Sequence, residues 1–261
     1  MASTQKPEAS SGKRPWFLLV LSLVGVLGAA FVVVVPPQIA DTRRAELTPY
    51  LQQVDAAQQP RGPFLNHYLL QAAMEHAGYT RYYFDGSEET LSTFGLVNDI
   101  HYLGRQRYST TGQDEIYCIG FIFNLYMRAG ELYAKEYFGE PHFRFPGLPG
   151  HEFADFQREF YGADGNRRTL VNALVSRGMA REIHSLEDAR PGDLVQFWRE
   201  GGLGHSAIFL DVTSEPWQQS SRLRFFSVHR TGIGIKEEMI GDPVILEDEI
   251  FIARPAVPRP I

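Results

Sequence analysis

The stretch Tyr117-Cys118-Ile119-Gly120-Phe121 decides the fold, because the polar residues 110–115 give way here to an apolar run with helical periodicity. Its apolar side chains recur at i, i+3, i+4, i+7 and i+11, the spacing of one buried helical stripe; they are Cys118, Phe121, Ile122, Leu125 and Ala129. The pattern predicts a helix that begins at Cys118 and continues past Gly130. The sulfur then lies in the first turn, at the rim of the core.

Cys118 is the single cysteine of the 261-residue chain, so no intramolecular disulfide can form and the fold depends on its core. A thiol at a helix start lies at the positive end of the helix dipole, beside unpaired backbone N–H groups. Both favour the thiolate, which is the nucleophilic form. The alternative is a structural cysteine, since a lone cysteine usually behaves as a small buried hydrophobe.

The last third of the chain is rich in β-branched and aromatic residues between turn residues, which is typical of strands. The predicted strands are Leu194–Trp198, Ser206–Val212, Leu223–His229 and Val244–Ile252. Helices followed by strands predict an α+β fold with an antiparallel sheet. His205 opens the second strand, and we expect its face, with the small Ala207 beside it, to pack against the helix. A cysteine on a helix followed by a histidine on a strand is an arrangement suited to thiolate acyl transfer.

Further helices are predicted over Ala45–Ala57, Asn66–Gly78 and Leu170–Arg177 from their apolar spacing and flanking glycines. Residues 79–112 are rich in Tyr, Gly, Ser and Thr and predict mainly loop. Residues 142–151, with several Pro and Gly, predict a surface loop or lid.

The N-terminal region contains Trp16–Val35, a run of 20 residues without a charge. As a helix it is roughly 30 Å long, the thickness of a bilayer's hydrocarbon core. It therefore predicts a transmembrane anchor; a signal peptide cleaved near Gly28-Ala29-Ala30 is the alternative. Lys6, Lys13 and Arg14 precede the run, which favours a cytoplasmic N-terminus and a domain on the outer, periplasmic or extracellular side.

The predicted organisation is a polar tail over residues 1–15, the anchor over 16–35, a linker over 36–61 and one domain over 62–261. From residue 36 onward the chain carries 22 Lys and Arg against 30 Asp and Glu, a net charge of −8. Such an acidic domain lacks the basic stripe of a nucleic-acid binder. The histidines have no metal-ligand spacing, so we expect neither a metal nor another cofactor.

Four segments together resemble the NlpC/P60 group of papain-like cysteine hydrolases. They are Cys118-Ile119-Gly120-Phe121, Pro191–Phe197 (Pro-Gly-Asp-Leu-Val-Gln-Phe), Gly204-His205, and the strand end Ser227-Val228-His229. Each segment alone is a weak signal, but their order and element types match the family. The resemblance implies a papain-like α+β fold, with the helix packed on an antiparallel sheet, and cleavage of amide bonds in cell-wall peptides.

The resemblance also implies roles for individual residues. Cys118 is the nucleophile and His205 the base that activates it and protonates the leaving amine. His229 holds the imidazole of His205, with Ser227 on the same strand face as the alternative third residue and a candidate substrate contact. Gln113 resembles the side-chain donor that, with the Cys118 N–H, stabilises an oxyanion in papain-like enzymes.

Two departures from the family pattern flank the cysteine. Tyr117 stands where the family has Asp, and Ile119 where it has Ser; we expect Tyr117 to border the substrate groove. The main hypothesis is a membrane-anchored thiol hydrolase of peptidoglycan stem peptides. One alternative is a catalytically inactive envelope-binding module on the same fold. The other is a thiol acyltransferase or lipid-handling enzyme, which the order of cysteine before histidine disfavours.

Overall fold

The computed structural model describes residues 37–57, 64–76, 96–110, 116–162, 165–214, 221–229, 232–241 and 244–261. The anchor expected over residues 16–35 lies outside these ranges, as does Gln113, so both stay predictions. Among the residues described, no helix combines the length and the apolar character that crossing a membrane requires.

The secondary-structure elements follow one another from a helical first half to a β-rich second half. The helices are α1 (Pro37–Ala57), α2 (Asn66–Glu75), α3 (Cys118–Phe138), α4 (Phe153–Tyr161) and α5 (Thr169–Val175), and a 3₁₀ turn (Gly150–Glu152) precedes α4. The strands are β1 (Ile100–Tyr102), β2 (Arg105–Tyr108), β3 (Ala180–Ile183), β4 (Leu194–Arg199), β5 (Gly204–Ser214), β6 (Ser221–His229), β7 (Gly232–Met239) and β8 (Ile245–Pro255).

Strands β3 to β8 form one six-stranded sheet in the order β3-β8-β4-β5-β6-β7, and every neighbouring pair is antiparallel. The hairpin β1–β2 is separate. The predicted α+β class with an antiparallel sheet is therefore confirmed. The sequence analysis missed β3 and β7, the two edge strands.

Both faces of the sheet are buried, which explains why β4 is an almost continuous apolar run. The helix side carries Leu194, Ile208, Leu210, Phe226 and Val228 in the main core with α3. The other side carries Val195, Phe197, Ala207, Phe209 and Phe225 in a second, smaller core.

Helix α3 begins at the predicted residue and ends at Gly139, whose left-handed backbone (φ 82°) is typical of a helix C-terminus. It runs through Gly130, where the missing side chain leaves room for the Phe143 ring; a Cβ at Gly130 would lie 2.7 Å from Phe143 Cζ. The predicted stripe is buried from Phe121 to Ala129, and Phe123 and Tyr126 on neighbouring faces are buried as well. Helix α3 is thus the central helix of the domain.

Residues 142–149 form the expected loop, with exposed residues at the surface, but three apolar side chains anchor it to the core, so it is not a free lid. Phe143, Phe145 and Leu148 are buried in the main core. Helix α4 follows and was not predicted, although Phe153, Phe156 and Phe160 are spaced at i, i+3 and i+7 and are all buried. This aromatic face covers α3.

The segment expected to be a linker contains helix α1, which packs on the sheet. Leu47 and Val54 are buried in the main core. Tyr50 Oη donates to Asp211 Oδ2 on β5 at 3.0 Å, and Arg43 donates to the Ile233 carbonyl on β7. Residues 37–57 are therefore part of the folded domain.

Candidate active site

Cys118 is the first residue of α3 and is partly exposed. It lines a cavity of about 290 Å³ where the start of α3 meets the ends of α4, β4 and β5. The walls include Tyr117, Tyr161, Gln196, Trp198, Leu203 and His205. The predicted nucleophile and the predicted base therefore border one cavity.

An interruption in the sheet brings the thiol close to β5. The β5–β6 ladder pairs Ile208 with Phe226, and in the described part of these strands no pair follows toward Gly204. The Ser206 carbonyl instead accepts a 2.7 Å hydrogen bond from Ser227 Oγ. The Ser206 backbone N–H lies beside the Cys118 thiol and favours its ionised form. The thiol is thus next to the residue that directly follows His205.

His205 and His229 are neighbours, but among the described residues no hydrogen bond joins their rings, and Nε2 of each is buried without a partner. The role of His229 as third residue therefore stays a prediction. The rings of His205 and His229 are stacked, with centroids 5.0 Å apart and planes 23° apart. The His205 ring also lies 5.5 Å from Phe197 and 5.6 Å from Phe225, both in the second core.

The expectation that the face of β5 carrying His205 and Ala207 packs against α3 is wrong. Ile208 and Leu210 occupy that side, whereas Ala207 lies in the second core. Across the described residues, no hydrogen bond joins the side chains of Cys118 and His205. The two therefore share the cavity without direct pairing.

Both candidate catalytic groups are shifted toward their neutral forms. Burial raises the pKa of the Cys118 thiol, although the N–H groups of Ser206 and Ile119 oppose this. Burial, the neighbouring His229 and the Arg199 charge hold the pKa of His205 well below its usual range. Burial lowers the pKa of His229 to about 4. For Cys118 the direction of this shift is opposite to the one that the helix start favours, because desolvation outweighs the N–H groups.

We predict that iodoacetamide alkylates Cys118 with a rate that still rises at pH 9, because burial raises the thiol pKa above its ordinary 9.0. Mass spectrometry of the full chain measures this directly, since the chain has a single cysteine. Free glutathione titrated in parallel is the control. A plateau of the rate near neutral pH would show a resting thiolate and contradict the prediction.

The remaining predicted site residues divide between the cavity and the core. Tyr117 is buried, caps α3 and packs edge-on against Tyr161 at 6.0 Å, so it does border the cavity. Ser227 is fully buried, and its hydroxyl donates a hydrogen bond to the Ser206 carbonyl. Ser227 therefore contributes to the β5–β6 interruption instead of lining the cavity.

Gln196 is a candidate that sequence analysis missed. It lies directly across from Ser206 in the β4–β5 register, is 5% exposed and lines the cavity. Its Oε1 accepts from the Leu170 N–H at 3.2 Å, which orients the amide, and Nε2 has no acceptor among the described residues. The signal was visible as a lone amide within Leu194-Val195-Gln196-Phe197.

The Pro-Gly-Asp segment before β4 has a structural role: it fixes the start of β4 in the domain. Asp193 is fully buried and accepts both Arg254 Nε and Arg254 Nη2 at 2.8 Å. Asn66 Nδ2 also donates to it at 2.7 Å. Gly192 has φ 88°, and a Cβ there would lie 2.5 Å from the Asn66 carbonyl oxygen. This cluster joins α2, β4 and β8 and so sets the position of β4.

Within the described ranges, no group of three or more His, Cys, Asp or Glu side chains is placed to hold a metal ion.

Comparison of the chain with protein-family models, curated proteins and solved structures finds no match. The geometry of the cavity and the order of the four sequence segments are therefore the grounds for assigning a function to this domain.

Proposed function

We propose that this chain is a thiol hydrolase of amide bonds, with a papain-like fold of NlpC/P60 type, Cys118 as nucleophile and His205 as base. The observation that carries the proposal is the shared cavity. The thiol opens into it from the first turn of α3, and Ser206, the β5 residue after His205, lines the same cavity. The order of the four resembling segments supports the same assignment.

The chemistry starts from a neutral pair, because burial disfavours both the thiolate and the imidazolium. For this step His205 has to turn from His229 and the second core toward the sulfur; it then removes the thiol proton while Cys118 Sγ bonds to the substrate carbonyl carbon. The C–N bond then breaks, and His205 returns the proton to the leaving amine. Water, deprotonated by His205, hydrolyses the thioester; the products are a carboxylic acid, an amine and the restored thiol.

The oxyanion of the tetrahedral intermediate needs donors on the wall that faces the sulfur. The Cys118 backbone N–H is one donor, and Gln196 Nε2 is the second in this proposal. Gln196 meets the requirement because its carbonyl oxygen is held by Leu170 and its amide group lines the cavity.

We predict that Gln196→Glu lowers kcat about a hundredfold with little change in KM, because the donor is lost while the acceptor for the Leu170 N–H is kept. Steady-state kinetics and a thermal unfolding curve measure the two effects separately. Gln196→Leu, which loses both groups, is the comparison for the structural contribution. Activity of Gln196→Glu within about threefold of the original would contradict the role.

The substrate that the resemblance suggests is the stem peptide of peptidoglycan, reached from a membrane anchor on the outer side. The test is incubation of the full-length chain with purified cell-wall fragments, followed by mass spectrometry. Cleavage of an amide produces one new amino group and one new carboxyl group per cut. Intact fragments after prolonged incubation would remove this substrate from the proposal.

The second candidate function is a binding module of the cell envelope on the same fold. The neutral thiol and the stacking of His205 on His229 favour it. In that case the cavity binds a ligand without turnover. Equal ligand affinity of the original chain and Cys118→Ala, with no product from either, would support the module.

A further inference from the structure

The cavity beside Cys118 is apolar. Its large wall residues are Tyr117, Ile119, Tyr161, Trp198 and Leu203. Among the described residues that line it there is no Asp, Glu, Lys or Arg. The single polar atom of the Trp198 side chain is used elsewhere, since Nε1 donates to the Arg167 carbonyl at 2.7 Å. The walls therefore offer a ligand mainly apolar contact area and few hydrogen-bonding groups.

The charged groups nearest to these walls already have partners. Arg199 forms a bidentate ion pair with Glu238, with both N–O distances 2.7 Å. Arg167, whose guanidinium lies 5.2 Å from the Trp198 ring, pairs with Glu249. A charged substrate group entering the cavity would lose its hydration without gaining a free counter-charge.

One of the protein's own residues shows the same effect. Burial shifts Cys118, which lines the cavity, toward its uncharged form. An environment that disfavours charge on this side chain also disfavours a carboxylate or ammonium group on a ligand placed beside it.

Leu203 marks the mouth of the cavity. It is 68% exposed, the highest value among the exposed large hydrophobic side chains of the described residues. The turn before it is built from Gly201 and Gly202, both with positive φ, and Arg199 N donates to the Leu203 carbonyl at 3.0 Å. The turn thus holds an apolar side chain at the rim, where a ligand group can bury it.

The volume of the cavity limits the size of the ligand group that it can accept. About 290 Å³ is at the lower end of the range of roughly 300–1,000 Å³ typical of small-molecule pockets. The cavity accommodates one side chain and excludes a longer part of a peptide.

We infer that this cavity selects one uncharged apolar side chain, aliphatic or aromatic, on the residue that supplies the scissile carbonyl. The inference rests on the proposed hydrolase function and names its substrate class. For a peptide substrate it favours bonds next to an uncharged side chain over bonds next to a free carboxylate or ammonium group.

The first test is a panel of aminomethylcoumarin amides of acetyl-Phe, acetyl-Leu, acetyl-Asp and acetyl-Lys, given to the full-length chain. We expect kcat/KM for the Phe and Leu amides to exceed that for the Asp and Lys amides by about tenfold to a hundredfold. Equal or faster cleavage of a charged amide would overturn the inference while the hydrolase function stands.

The matched variants are Leu203→Asp and Ile261→Asp. Ile261 is 62% exposed and does not line the cavity, so it controls for an added surface charge. We expect Leu203→Asp to lower kcat/KM for the Phe amide about tenfold and to raise it for the Lys amide, with no change in the control. An unchanged Phe-to-Lys ratio in Leu203→Asp would count against Leu203 as a specificity residue and against the inference.

A binding measurement separates the inference from the proposed function. Calorimetry of Cys118→Ala with acetyl-Phe amide and acetyl-Lys amide reports recognition without chemistry. Tighter binding of the Phe amide, together with no cleavage by the original chain, would support the selectivity and overturn the hydrolase. Binding without preference, or no binding of either amide, would overturn the selectivity.

Discussion

Replacing Cys118 by alanine is expected to abolish amide cleavage, with kcat/KM falling by about a thousandfold or more. The variant keeps the cavity but has no atom to form the thioester, and no other cysteine exists in the chain to substitute for it. Release of amine from the Phe coumarin amide by the full-length chain measures the loss. Because Cys118 is only partly buried in the first turn of α3, we expect the fold to remain intact.

Two comparisons make this result specific. Circular dichroism and the unfolding midpoint of Cys118→Ala should match those of the original chain. Cys118→Ser keeps a small polar group at the same position and should be similarly inactive, because a hydroxyl is the poorer nucleophile. Undiminished cleavage by Cys118→Ala would show that the thiol takes no part in the reaction.

Replacing Asp193 by alanine is expected to lower the free energy of unfolding by about 3–5 kcal/mol. The change leaves the Arg254 guanidinium, 2% exposed, without its bidentate partner in the interior. It also removes the acceptor for the Arg190 N–H and one of the two acceptors of Asn66 Nδ2, the other being the Pro191 carbonyl. Urea denaturation followed by tryptophan fluorescence measures the difference.

The control is the exposed ion pair between Arg224 and Glu237. Arg224 Nε donates to Glu237 Oε1 at 2.6 Å, and the guanidinium also donates to Tyr50 and Asp211. Glu237→Ala therefore leaves no buried charge without a partner. We expect that variant to lose less than about 1 kcal/mol. Comparable losses in the two variants would refute the special role of the buried pair. The double variant Asp193→Leu, Arg254→Met should lose less than Asp193→Ala, because no charge remains unpaired.

The elements that sequence analysis predicted correctly are those whose periodicity is local and uninterrupted. The stripe after Cys118 identified α3 to its first residue, and the alternating or continuous apolar runs identified β4, β5, β6 and β8 within a few residues. The missed strands β3 and β7 are edge strands. Strand β7 carries Lys236, Glu237 and Glu238, and it forms because β6 supplies its hydrogen-bond partners.

The candidate site was predicted in part. Cys118, Tyr117 and His205 do line one cavity, and His205 and His229 do meet. Gln196 was missed because a single amide within a strand does not indicate a functional role in the sequence. Only the packing of α5 and β5 around it shows that it lines the cavity. The alternation along β5 is also broken: beyond the register shift between Phe209 and Asp211, Val212 packs on the second core, whereas Ile208 and Leu210 lie in the main core.

The sequence by itself determined where α3 begins, that the apolar runs of β4, β5, β6 and β8 become strands, and that the fold is α+β, because these depend on side-chain spacing along a short stretch of chain. Only the tertiary structure decided which face of β5 meets α3, which groups lie around the thiol and whether it is charged. Strand alternation is symmetric between two faces, and the pKa of a thiol depends on the atoms packed around it from distant parts of the chain. Burial by those distant residues is what shifts the pKa of Cys118 upward and that of His205 downward, each toward the neutral form.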